Sequence, residues 1–223
     1  MTVCATPIKG RVFRVVAVDA CGVPVTGASS AVYVQDGFIS VGFSPQFEEG
    51  NEFVLRNADG NLIVNQKDDS SFKRFNLTVT MANIDPEMWA YLMSSRTLSV
   101  GSPLVTGAGF SVKSGQWTNR FSLEVWQRVA GAGACSASGQ VQYVYHALPN
   151  VGGVRIGDDT IENGPTQMSF TAESADPSTL WGDGPGNLTS AIAPAVVQTL
   201  EHRLWAISTA TPPTATCGKA LLT

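Results

Sequence analysis

The sequence predicts a mainly β protein: two packed antiparallel sheets forming a barrel-like sandwich, with one short flanking α-helix at about residues 85–94. Three observations predict it. Gly and Pro are frequent, at 22 and 12 of 223 residues, which makes a turn-rich chain. Short runs of alternating apolar and polar residues recur from end to end. Only one stretch combines helical spacing with a clear start signal. Apolar residues make up 43% of the chain, enough for a core, whereas a disordered chain needs low hydrophobicity and high net charge.

The first element is Lys9 to Asp19, Val-rich and carrying Phe13, which reads as a strand ending in the turn Cys21-Gly22-Val23-Pro24. Ala31 to Val34 and Phe38 to Phe43 read as short strands broken at Asp36-Gly37, and Pro45 is expected to end the second. Glu52 to Arg56 and Leu62 to Gln66 flank Asn57-Ala58-Asp59-Gly60-Asn61, a hairpin signature. The surroundings are acidic, and a hairpin projecting from the body over about residues 45–70 is expected. Phe72 to Met81 is the clearest strand: Phe75, Leu77, Val79 and Met81 alternate with Arg74, Asn76, Thr78 and Thr80.

The helix follows. Asp85 is placed to cap it, Pro86 suits the first helical position, and Glu87 suits the positive end of the dipole. Met88, Trp89 and Leu92 form its apolar stripe, and Ile84 with Trp89 occupy the two positions of a hydrophobic staple. Phe110 to Lys113 is a weak strand and Arg120 to Val129 a strong one, with Phe121, Leu123 and Val125 opposite Ser122, Glu124 and Trp126. Ala130 to Gly139 is a loop. Gln140 to Leu148, Val151 to Ile156 and Thr166 to Glu173 are further strands, and Ala175 to Pro185 is loop. In the tail, Val196, Leu200 and Leu204 fit a helix, while Arg203 to Thr209 fits a strand before Pro212-Pro213; the strand is the reading preferred. Residues 1–209 make one domain and 210–223 a C-terminal arm.

Charge and chemistry narrow the function. Charged residues are 14% of the chain, against roughly 25% in a typical soluble domain. Net charge is −4, and the densest basic pairs, Arg11/Arg14 and Lys73/Arg74, are too sparse for phosphate binding. The N-terminus shows no secretory signal, so synthesis in a cytoplasm is expected. The longest uncharged run, between Arg128 and Arg155, is too rich in Gly, Ser and Gln to span a bilayer. Cys4, Cys21, Cys135 and Cys217 form no C-x-x-C pair; they are expected to be small buried hydrophobes, with disulfides or metal ligation as the other readings. His146 and His202 read as half-buried polar residues. Asp68-Asp69 and Asp158-Asp159 read as solvated turn acids, and Asn76-Leu77-Thr78 and Asn187-Leu188-Thr189 as chance glycosylation matches. No hydrolase, zinc-protease or phosphate-loop motif occurs, so no enzyme activity and no cofactor are expected.

The order of features resembles a known family. A Val-rich strand leads through a turn into Gly37-Phe38-Ile39-Ser40-Val41, then an acidic hairpin. Phe75-Asn76-Leu77-Thr78-Val79-Thr80 leads into Ile84-Asp85-Pro86-Glu87-Met88-Trp89-Ala90-Tyr91-Leu92. Tyr143-Val144-Tyr145-His146-Ala147-Leu148-Pro149, Thr160-Ile161-Glu162-Asn163-Gly164-Pro165 and Leu180-Trp181-Gly182-Asp183-Gly184-Pro185 come later. Over roughly residues 8–210 the chain is similar to the major tail protein, the tail-tube subunit, of long non-contractile-tailed phages of actinobacterial hosts.

The resemblance implies a tail-tube fold and a virion protein made in the host cytoplasm. Six subunits would form a ring, and rings would stack into a tube through which DNA passes without specific binding. Tape-measure, tail-terminator and tail-tip proteins would be the other partners, with no membrane involved. By position, the inter-ring stacking loop would carry Glu48, Glu49, Glu52, Arg56, Asp59, Lys67, Asp68 and Asp69. A capsid decoration protein, a baseplate component or a surface adhesin is the competing reading.

Overall fold

The computed structural model of the chain describes residues 5–100, 107–159, 161, 163–164, 166–177 and 200–220. The expected loop at Ala175–Pro185 lies outside these residues from position 178 onward, as does Val196 of the alternative tail helix, while Leu204 of that helix opens a strand.

The strands in chain order are β1 (Thr6–Val18), β2 (Val32–Gln35), β3 (Phe38–Glu48), β4 (Glu52–Arg56), β5 (Leu62–Lys67), β6 (Ser71–Met81), β7 (Thr97–Val100), β8 (Gly107–Phe110), β9 (Arg120–Ala130), β10 (Tyr143–Ile156), β11 (Met168–Ser174) and β12 (Leu204–Ser208). The helix α1 is Pro86–Leu92. The protein is mainly β, and its strands pack as a sandwich rather than a closed barrel.

Eight strands share one hydrogen-bonded path, β2-β1-β9-β10-β11-β6-β3, with β12 added to β10. Every pairing in it is antiparallel. The path folds over because β10 changes partners along its length. Tyr143–Ala147 lies between β9 and β12, while Val151–Ile156 pairs with β11. Register breaks at Leu148/Val151 and Gly152/Arg155 mark the corner, where Gly153 has φ +64°. The expected pair of strands on either side of Pro149 is therefore one strand, bent by bulges, and the two expected sheets are two layers of one folded sheet.

The core lies between the layers. Phe13 and Val15 of β1, Phe121 and Leu123 of β9, Leu77 and Val79 of β6 and Phe170 of β11 are fully buried. Met88, Trp89 and Leu92 of α1 close one opening with the same complete burial. Trp89 meets Phe170 edge-on at 5.7 Å. The Asp85 carboxylate caps α1, accepting from Glu87 N at 3.0 Å and Met88 N at 3.4 Å. Ile84, at the other staple position, is 41% exposed, whereas Trp89 is fully buried.

β3 crosses the open side of the sandwich without pairing to β1. Gly10 makes the approach feasible, since any Cβ there would collide with the Phe38 ring. Phe38 also meets Phe13 edge-on at 5.6 Å. Side chains fill this seam where a barrel would have a ladder. β3 also runs through Pro45 to Glu48, longer than expected. It is the last strand of the path, so the missing N–H of Pro45 costs no ladder bond on its free side.

The C-terminal arm lies against β2 and α1. Val32 and Ala220 exchange two backbone hydrogen bonds, and Thr216 N donates to Val34 O at 3.0 Å. Gly218 N donates to Asp85 Oδ2 at 2.9 Å. Among the described residues, Cys21, Cys135 and Cys217 all lie at the surface, contrary to the buried placement expected of them. They sit in turns and in the arm, where no core reaches them. Also among the described residues, no helix is long and apolar enough to cross a membrane.

Candidate functional site

The candidate site is the projection built from β3, β6 and the β4–β5 hairpin. β3 and β6 continue past the core, pairing out to Phe47↔Phe72 and Glu48↔Ser71. Gly50 then lets the two chains come together, because a Cβ there would collide with the Asp68 carbonyl. Asp68 N donates to Asn51 O at 2.9 Å, and the β4–β5 ladder follows from Glu52↔Lys67 to Arg56↔Leu62.

The tip is built by local side-chain chemistry. Asn57 Oδ1 accepts from Asn61 N at 2.7 Å and from Asp59 N at 3.1 Å. Gly60, at φ +81°, takes the left-handed position of the turn. Arg56 Nη1 donates to Gly60 O at 3.0 Å. The turn thus specifies itself without help from the body.

Every residue of β4 and β5 is exposed. The ladder places Phe53, Leu55 and Val64 on one face, and the bulge between Leu55 and Arg56 leaves Ile63 as the extra residue. Phe53, Leu55 and Ile63 are 58%, 56% and 60% exposed. Val54, Leu62, Phe47 and Phe72 are exposed as well. A two-stranded hairpin is at best marginal in water by itself, and contiguous apolar surface of this kind marks an interaction site.

All eight charged residues expected in the stacking loop lie on this projection. Glu49 pairs with Lys67 at 3.2 Å, and Glu48 with Lys73 at 3.9 Å, both at the surface. Exposed pairs of this kind contribute little to stability. Sequence reasoning singled out the charges; the structure adds the apolar side chains between them. Their signal was present as Phe53-Val54-Leu55 and Leu62-Ile63-Val64, runs that an alternating half-buried hairpin would not contain.

In sequence comparisons, no protein-family model and no curated protein matches the chain.

Buried polar clusters in the body include two that tie distant strands together. Arg14 and Glu124 form a two-pronged ion pair, Nε to Oε2 at 2.6 Å and Nη2 to Oε1 at 2.9 Å. The Tyr145 hydroxyl donates to Glu124 Oε1 at 2.6 Å, and the guanidinium lies 5.4 Å from the Trp126 ring centre. Burial and the Glu124 carboxylate hold the Tyr145 phenol well above its ordinary range, so it stays a donor. This cluster ties β1, β9 and β10 together.

The second centre closes the seam. His146 Nδ1 accepts from Arg203 Nη2 at 2.7 Å, which leaves Nε2–H to donate to Gln127 Oε1 at 2.9 Å. The Arg203 guanidinium stands 4.1 Å over the Phe43 ring. Burial and Arg203 lower the His146 pKa to about 4. His202 Nδ1 and Ser174 Oγ are hydrogen-bonded at 2.9 Å, and that oxygen also accepts from Phe75 N. Ser174 is 3% exposed, so its hydroxyl fastens the tail to the base of the projection and is not presented to a substrate. Among the described residues, no group of three or more His, Cys, Asp or Glu side chains is placed to hold a metal ion.

Proposed function

We propose that this chain is a self-assembling structural subunit, a tail-tube protein of a long-tailed phage that stacks as hexameric rings. The observation that carries the reading is the β4–β5 hairpin, exposed on both strands and apolar on one face. Such a hairpin is stable and soluble only when another surface covers it. Low overall charge supports the same reading, because obligate interfaces deplete charged residues. Among the described residues β3, a strand of 11 residues, is unpaired on its outer side, a second surface that ring formation would satisfy. The resemblance to tail-tube subunits supplies the ring, the tube and the passage of DNA; the hairpin supplies the need for a partner. On this reading the protein carries no catalytic site, and its buried polar groups serve rigidity.

The test is assembly of the purified full chain, followed by light scattering and negative-stain electron microscopy as concentration rises. Rings or tubes are expected. Deleting residues 49–67 should leave a folded body that no longer stacks. A chain that stays monomeric at every concentration would refute the proposal. Binding to preformed capsids without tubes would favour a decoration protein instead, and glycan binding an adhesin.

A further inference from the structure

The charge distribution points to where the hairpin docks. Residues 48–69 carry six carboxylates and two cations, a net −4 that equals the net charge of the whole chain. The rest of the chain carries twelve charges of each sign. Glu52, Asp68 and Asp69 cluster at the hairpin base and form no ion pair among the described residues.

Positive charge is gathered at one end of β1 and β9. Thr6–Arg11 is exposed at every position, so this end of β1 stands clear of the core. Lys9 and Arg128 sit directly opposite each other across the ladder, and both are exposed. Like charges at opposed positions destabilise a sheet. Arg11 is the extra residue of the bulge between Gly10 and Val12, and a bulge re-aims the side chain it carries. None of these three cations forms an ion pair among the described residues.

Beside them runs a groove of about 640 Å³, lined by Arg11, Val12, Tyr143, Pro212 and Pro213, with Asp36 as its one carboxylate. Ile8 on the same ribbon is 51% exposed. Three cations against one carboxylate fall far short of a nucleic-acid site, which neutralises many phosphates. They do match the three acids at the hairpin base in sign and number, and the groove offers room for apolar side chains.

We infer that the hairpin of one copy docks on the Lys9–Arg11–Arg128 end of β1 and β9 in a second copy. The acidic base of the hairpin, with Glu52, Asp68 and Asp69, comes to lie beside the cations, and the apolar face of the hairpin enters the groove. Donor and acceptor are different surfaces, so the contact is head-to-tail and propagates instead of closing a dimer. The inference rests on the hairpin being an assembly element and adds its receptor.

The test is charge reversal in the full chain, read by analytical ultracentrifugation at about 50 mM and about 500 mM salt. One variant carries Lys9→Glu, Arg11→Glu and Arg128→Glu; the other carries Glu52→Lys, Asp68→Lys and Asp69→Lys. Each alone should weaken association roughly tenfold or more at low salt, and an equimolar mixture should restore it, because each hairpin then meets an opposite patch. Circular dichroism melts should match the wild type, since all six positions are exposed. A patch variant that assembles as well as wild type overturns the inference and leaves the assembly reading standing. Loss without rescue in the mixture also overturns it. A wild-type chain that never associates removes both.

Discussion

Replacing the apolar face of the hairpin should abolish assembly and leave the body untouched. The variant is Phe53→Thr, Leu55→Thr, Val64→Thr, which puts β-branched threonine at all three positions and so preserves the hairpin's preference for extended backbone. The three side chains are 58%, 56% and 41% exposed in the isolated subunit. Full burial of such a side chain is worth about 1.5–3 kcal/mol, so the exposed fractions together hold about 2–5 kcal/mol that an interface can gain. That is roughly a 30- to 4,000-fold change in the dissociation constant at each contact. None of the three touches the core, so monomer stability should move by less than about 0.5 kcal/mol. Sedimentation velocity across a concentration series measures the first effect and thermal melting the second. Unchanged assembly would show that the apolar face is not the interface. A melting temperature lowered by more than about 5 °C would show that the hairpin is part of the folding unit.

Two other outcomes test the body. Glu124→Ala takes the carboxylate from buried Arg14 and from the Tyr145 hydroxyl, and should cost about 3–5 kcal/mol; the double variant Arg14→Met, Glu124→Leu should lose less. Equal losses in chemical denaturation would mean the ion pair is not what is being measured. His146 is neutral in the fold down to about pH 4, whereas an unfolded imidazole protonates near 6.5. The unfolded chain therefore takes up more protons in that window, and stability should fall as pH drops from about 6.5 to about 4. His202, also lowered, adds in the same direction. His146→Gln should flatten part of that slope in melts taken at steps of pH, and an unaltered slope would assign the loss to other groups.

Strand identity was legible wherever one face of a strand is buried. Phe75, Leu77, Val79 and Met81 alternate because β6 lies between a core and solvent; β9 alternates in sequence too, yet it is buried on both faces from Phe121 to Trp126, with Ser122 and Glu124 on its second face. The helix was legible from its cap, since Asp85 and Pro86 act within one turn. Pro45 misled because a proline's effect depends on whether its strand has a neighbour on the N–H side, and only the sheet order shows that β3 has none there among the described residues. The break expected in β10 misled for a similar reason: bulges let one strand carry Pro149 and two sets of partners.

The sequence by itself determined a β-rich chain with one capped helix and an acidic hairpin, because alternation, capping and turn chemistry act between residues close along the chain. Only the tertiary structure decided that the sheet folds over at β10 and that Arg203, next to β12, meets His146 of β10 and the Phe43 ring of β3. It alone placed Lys9 opposite Arg128 and left the apolar face of β4–β5 uncovered. These depend on which distant segments become neighbours, a property of long-range packing that no local pattern encodes.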